Sequence, residues 1–438
     1  MAPPNPLELL KQALATAATG DVAATKADFD KAMKAAEFGD GGTLDHVMHA
    51  YATYLRAQRE FPKAIQLQRM RLDMRRLAGR DRPGLIVDAL LDLAITLRGA
   101  GENLEAEALL HEAIGLAESA PMPGALLANA LTYLSLHHLE RKEFAKELAL
   151  LERAVKAREA DADCPPGELA MARDHAAKAC LRTKDFARAR VLLAQALPVL
   201  ETVPQLAGDP NIPQGWLALA TLCAEQGDLP AASRHARQAF ERARTLAGKL
   251  PQTPQEFHAF VLQTAHQAAT YAAMEKRSDD AARLTWEAHE YAKANFAGNP
   301  LPALETLQIH LNFIIGAGEF AKAEPLMRQV VAGKMMLLGE NHVDLSAPFN
   351  NLGYVLMNLG KDAEAENCFR KSWAASAQAP AAEQNGHARK NLGLLYQKQG
   401  KTAEAATEFQ AALAVLEPQL GAEHPVVKMV RAGAASSR

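Results

Sequence analysis

Aromatic residues make up only 5% of this 438-residue chain, although 49% of it is hydrophobic. Alanine and leucine supply the difference. Both are strong helix formers, so the composition leans all-α. The β-branched alternation that a half-buried strand needs is almost absent, which argues against a sheet. Four cysteines are present, Cys164, Cys180, Cys223 and Cys368, with no CxxC and no paired spacing, a pattern that suits free thiols in a reducing compartment. Charge imbalance is missing too: a net charge of −3 argues against a bulk nucleic-acid binder. No apolar stretch reaches the roughly 20 residues a membrane helix needs, which argues against a membrane partner. The start at Met1 lacks the basic-then-apolar pattern of a secretory signal. The expectation is a cytoplasmic protein.

Catalytic signatures are lacking as well. There is no GxSxG, no glycine-rich phosphate loop and no HExxH. His46 and His49 lie three apart on one helix, but no third ligand stands near, and His137-His138 fares no better. Exposed or groove-lining histidines are the simpler reading. No enzyme activity, metal or cofactor is therefore expected. Residues 56–82 carry a local charge of +6, from Arg56, Arg59, Lys63, Arg69, Arg71, Arg75, Arg76, Arg80 and Arg82 against Glu60, Asp73 and Asp81. Phe61 is the one aromatic in the stretch, so a solvated helix surface is expected rather than a phosphate track.

What is present is repetition. Leu338-Gly-Glu-Asn-His342 recurs as Leu420-Gly-Ala-Glu-His424. Between them lie two near-copies of a helix pair: Asn351-Leu-Gly353, Gly360-Lys, Ala365, Phe369, then Asn391-Leu-Gly393, Gly400-Lys, Ala405, Phe409. Carried back along the chain, the template places turns at Gly20, Arg59, Gly101, Lys142, Lys184, Gly227, Lys276, Gly318, Gly360 and Gly400. Five residues beyond the turn, eight of the ten units have Ala, the exceptions being Thr25 and Glu147. Seven residues before it, nine of ten are small. Twelve beyond it Ala recurs in seven units, with Arg71 a departure. Antiparallel helices approach to roughly 8–10 Å only where contact residues are small. One such pair cannot bury its apolar face alone, so neighbours must stack.

This pattern resembles the tetratricopeptide repeat, whose signature joins W-x2-L-G-x2-Y to a later Ala and Phe. Trp216-x2-Leu219-Ala220 matches its first half, and Leu392-Gly393-x2-Tyr396 with Ala405 and Phe409 matches its core. The period of about 42 residues is similar to the long-helix subclass of kinesin light chains. The resemblance implies an all-α, right-handed α-solenoid of about ten antiparallel helix pairs. Its expected organisation is a disordered tail over 1–6, repeats 1–6 over 7–248 and a loop or hinge over 249–254. Thr253 or Gln252 is free there to cap the next helix. Repeats 7–10 follow over 255–417, and a capping segment and tail over 418–438, with a short helix from His424 to Met429.

The resemblance also implies a concave groove, lined by the first helix of each pair, that receives a protein or peptide ligand. Asn312, Asn351 and Asn391 should form a ladder there, with Asn350 and Asn358 close by, because an amide offers a donor and an acceptor to an extended backbone. The alternative is that some of these amides satisfy neighbouring backbone. Tyr354, His387, Lys390 and Lys398 would add selectivity. Where relatives that bind chaperone tails carry a carboxylate clamp, this chain has Gln308, His387 and Asn391, which argues against an EEVD-type tail. The function so implied is a protein-interaction scaffold. The alternative is a peptide-sensing module whose curvature changes around 249–254.

Overall fold

The computed structural model describes residues 5–78, 82–249, 253–376 and 383–436. The chain divides into two compact units, 1–209 and 210–438. In the first, five helix pairs follow one another: α1 (Pro6–Thr19) and α2 (Val22–Ala36), α3 (Gly41–Ala57) and α4 (Phe61–Ala78), α5 (Pro83–Ala100) and α6 (Asn103–Ser119), α7 (Gly124–Glu140) and α8 (Phe144–Glu159), α9 (Pro166–Arg182) and α10 (Phe186–Leu200). The second also holds five: α11 (Asn211–Glu225) and α12 (Leu229–Lys249), α13 (Gln255–Met274) and α14 (Ser278–Asn295), α15 (Leu301–Gly316) and α16 (Phe320–Leu338), α17 (Ser346–Asn358) and α18 (Asp362–Ala375), α19 (Glu383–Lys398) and α20 (Thr402–Leu420). A last helix, α21 (Pro425–Ser436), covers the end and is longer than the expected His424–Met429 segment. Among the described residues there is no strand. Within each unit, consecutive helices pack on one another as an α-solenoid requires.

All ten turns expected from the sequence adopt left-handed backbone. Six are glycine, which carries no Cβ to clash there. The other four are Arg59, Lys142, Lys184 and Lys276, with φ between 59° and 63°. An L-residue in this region costs roughly 1–2 kcal/mol, and the repeat geometry imposes it. Lys276→Gly should therefore raise stability by about 0.5–1 kcal/mol, the gain being cut by the greater freedom of glycine in the unfolded chain. Denaturant titration would read it, and an unchanged midpoint would mean that the turn is not held left-handed.

The small-residue registers form the helix contacts. At the position five beyond the turn, Ala64, Ala106, Ala189, Ala232, Ala281, Ala323, Ala365 and Ala405 are all fully buried. On the facing helix a Cβ added at Gly353 would stand 2.6 Å from the Phe369 ring, and one at Gly393 2.7 Å from Phe409. The departures from smallness are polar residues with partners. Thr25 Oγ1 donates to Asp21 O at 2.6 Å, and buried Glu147 accepts both Nε and Nη2 of Arg182. The recurring Leu-Gly-x-x-His phrase is a joint: Gly339 and Gly421 have positive φ. The histidine then caps the next element, His342 Nδ1 accepting Asp344 N–H at 3.2 Å and His424 Nδ1 accepting Val426 N–H at 3.3 Å.

Several expectations need correction. The arginines of residues 56–82 are a solvated surface only in part: Arg59, Arg69, Arg76 and Arg82 are exposed. Arg71 is buried, and Arg75 mostly so, among carboxylates of α3 and α5. Arg69 and Arg76 bridge to Glu105 and Glu112 on α6 at 2.8 and 2.7 Å. Arg80 and Asp81 lie outside the described residues. Intramolecular carboxylates thus occupy five of the charges a phosphate track would need, those of Lys63, Arg69, Arg71, Arg75 and Arg76. His49 Nδ1 stands 2.8 Å from Asp92 Oδ2, and His137 is buried rather than exposed. Asn5 caps α1 through its side chain and Pro6 begins that helix, while residues 1–4 of the expected tail lie outside the described residues. Thr253 caps nothing: its hydroxyl donates to Ala247 O at 2.8 Å, and α13 starts after Pro254 without a side-chain cap. Gln252, like the rest of 250–252, lies outside the described residues.

Candidate functional site

Counting back from the left-handed glycine of each turn fixes the register of α15, α17 and α19. Asn351 and Asn391 both stand nine residues before it, Asn350 and Lys390 ten, and Asn312 and Tyr354 six. Asn312 is therefore equivalent to Tyr354, about one helical turn from the level of the other asparagines. The three-rung ladder Asn312–Asn351–Asn391 does not share one level.

A shorter amide chain takes its place. Asn391 Nδ2 donates to Asn350 Oδ1 at 2.8 Å, across the α17–α19 contact, and Asn350 Nδ2 reaches Asn351 Oδ1 at 3.4 Å. Asn391 is only 3% exposed, yet its Oδ1 is buried with no hydrogen-bond partner. Lys390 beside it is half-buried, has no acceptor among the described residues, and burial pushes its ammonium pKa down. Tyr354, at the exposed rim, packs edge-on against Phe320 with ring centroids 6.0 Å apart. Asn350, Asn351, Asn391, Lys390 and Tyr354 thus combine free amide and ammonium valence with an aromatic surface. His387, half-buried, stands one turn before Asn391 on α19.

Two of the expected groove residues are engaged within the fold. Asn358 Nδ2 donates to Tyr354 O at 2.8 Å, closing its own helix end. Lys398 bridges to Asp362 Oδ1 at 2.8 Å and Met357 O at 3.2 Å, tying α19 to the α17–α18 pair. Asn312 is exposed.

Other polar features escaped sequence reasoning. Asn385, a turn and a half before Asn391, also has a buried Oδ1 without a partner. Arg389 lies over the Trp373 ring at 4.5 Å, a cation–π contact between α18 and α19. Gln308 Oε1 accepts from Lys334 Nζ at 2.9 Å, so a cation does stand beside Gln308, supplied by α16. The signal for it was a lone lysine inside the apolar run Val330–Leu338. No cluster of three metal-ligating side chains occurs among the described residues, and no described helix is long and apolar enough to cross a membrane.

The tetratricopeptide-repeat family model matches residues 349–379 and 387–426, the two pairs that carry this face. No curated protein matches the chain. Similar solved structures include BtubC (BKLC) from P. vanneervenii, 19% identical over 56% of this chain and 91% of that one, TM-score 0.39. A putative kinesin light chain with nearly identical TPR-like repeats from Podospora anserina is 16% identical over 48% of this chain and 97% of that one, TM-score 0.36. The quorum sensor NprR from B. thuringiensis, in its apo form, is 15% identical over 75% of this chain and 86% of that one, TM-score 0.41. The last two full pairs thus carry tetratricopeptide repeats, and the same left-handed turn joins the two helices of every pair before them.

Proposed function

We propose that the chain is a protein-interaction scaffold whose α17–α19 face binds an extended segment of a partner protein. Tetratricopeptide repeats generally mediate protein–protein contacts. The observation that carries the finer reading is Asn391: an amide 97% hidden from solvent, held by one hydrogen bond, with its carbonyl oxygen unpaired next to an uncompensated Lys390. A buried acceptor without a donor costs about 1–3 kcal/mol. A backbone N–H of an extended peptide would supply that donor, and a backbone carbonyl or carboxylate would take up Lys390. Tyr354 offers an apolar face for a side chain of the same segment.

Affinity capture from native lysate tests this, comparing the wild type with Asn350→Ala/Lys390→Ala. Asn350→Ala also removes the one hydrogen bond of buried Asn391, a loss of about 1–3 kcal/mol, so retention is compared at a temperature where both chains remain folded. A partner retained by the wild type and lost by the variant supports the reading. Equal retention by both would remove the partner from this face.

A further inference from the structure

A second site lies in a cleft of about 400 Å³ formed by the start of α15, the end of α16 and the start of α17. Lys334 lines it and is only 7% exposed. Among the described residues its ammonium has a single partner, the neutral Oε1 of Gln308. An ammonium has three donors, and burying one without a counter-charge is costly unless something anionic completes it. Elsewhere in the chain the buried cations do have carboxylates: Arg71 has three and Arg158 has Glu168. Lys334 is built differently. Because Gln308 Oε1 is engaged, its Nε2 is the end left to donate, so the inner wall offers Lys334 Nζ and an amide N–H, the combination that holds a carboxylate.

The mouth has the opposite character. Glu305 and Asp344 also line the cleft. Glu305 has no basic partner among the described residues, and Asp344 meets only the His342 ring nitrogen at 3.6 Å. A simple anion would be repelled on entry. A ligand carrying a carboxylate at one end and a cation a few ångströms away would satisfy both walls. The cleft is at the small end of ligand pockets, large enough for about one or two residues.

We propose that this cleft binds an α-carboxylate with an attached cationic group, either as a free amino acid or as the C-terminal Lys or Arg of a peptide. The site is separate from the Asn350–Asn391 face and stands or falls independently of it. Calorimetric titration of the full chain with L-lysine, with Gly-Gly-Lys, with its C-terminal amide and with Gly-Gly-Glu distinguishes the sources. Binding of L-lysine assigns the cleft to free amino acids, and binding of Gly-Gly-Lys alone assigns it to peptide ends. In either case the amidated peptide should not bind, and Gly-Gly-Glu should bind at least about tenfold more weakly, because Glu305 and Asp344 oppose it.

Lys334→Met should abolish the heat of binding. Its melting temperature without ligand should match or exceed that of the wild type, because an unpaired buried charge has been removed. Glu305→Gln should weaken L-lysine or Gly-Gly-Lys while leaving the fold intact. No heat from either ligand at millimolar concentration, equal binding of the amide, or undiminished binding to a folded Lys334→Met would each overturn the proposal.

Discussion

Arg71→Met should lower the stability of the first unit by about 3–5 kcal/mol, the range for removing one partner from a buried ionic cluster. Arg71 is 3% exposed and occupies a position where seven other repeats have alanine. It donates to Asp45 Oδ1 at 3.2 Å, to Asp88 Oδ2 at 2.7 Å, and to Asp92. Arg75, one turn on, holds Asp45 at 2.6 Å and Asp88 at 2.6 Å and also reaches Leu85 O. Three carboxylates, two guanidinium groups and the His49 ring thus lock α3, α4 and α5 together. Methionine keeps much of the volume but leaves three carboxylates with Arg75 and His49 alone.

The pH dependence separates this electrostatic loss from a packing defect. Burial alone would raise the Asp92 carboxyl pKa, but His49 and Arg71 outweigh it and hold the value below that of an ordinary aspartate. A carboxyl depressed in the folded state contributes stability that is present above its unfolded pKa of about 3.9 and is lost as pH falls through the folded value. Without Arg71 that contribution shrinks. The gap between wild type and variant should therefore be widest near neutrality and narrow below about pH 4. A gap that is constant with pH would point to packing. Arg71→Met/Asp92→Leu should recover part of the loss, since an apolar pair can replace a buried ion pair at little cost.

Which features were legible follows from the range over which their causes act. The turns were legible because one left-handed residue per repeat leaves a beat that even Arg59 and Lys142 keep, although their side chains give no hint of it. The small-residue registers were legible because a close helix contact excludes a Cβ branch wherever it recurs. The Arg71 cluster was hidden because its members come from three helices. Yet Asp45 and His49, Arg71 and Arg75, and Asp88 and Asp92 are each four apart, so each helix shows two charged or titratable groups on one face. Reading the stretch as a local charge sum discarded that spacing.

The candidate face was legible only in part. Asn350 and Asn391 do meet, but Asn312 slipped about one turn because repeat lengths differ, and spacing counted between asparagines is not spacing counted from the turn. Lys334 and Gln308 are 26 residues apart on successive helices, a pairing fixed by packing angle rather than by any local pattern.

Gly124→Ala should be the most damaging of the glycine substitutions, at about 3 kcal/mol, the upper part of the overpacking range. Pro123 offers α7 no side-chain cap. The helix start is instead served from the end of the pair, Asp161 Oδ2 accepting Ala125 N–H at 3.2 Å. That cap requires α7 to begin directly against α8. A Cβ at Gly124 would run into the backbone carbonyl oxygen of Ala157 and come within 3.0 Å of Asp161 Cβ. At Gly393 the obstacle is the Phe409 ring, which can tilt; at Gly124 it is main chain, and α7 must move. The movement would also withdraw Ala125 from Asp161, adding a lost cap of about 1 kcal/mol. Gly115→Ala is the control. It lies within α6 with nothing within 4 Å of the added methyl, so helix propensity should stabilise it by about 0.5–1 kcal/mol. In a stacked array the loss should concentrate in the altered pair and its neighbours. Hydrogen exchange should therefore accelerate across α7 and α8 and much less in α1 and α2. Unchanged exchange in α7 of the Gly124→Ala chain would mean that its first turn does not rest on Ala157.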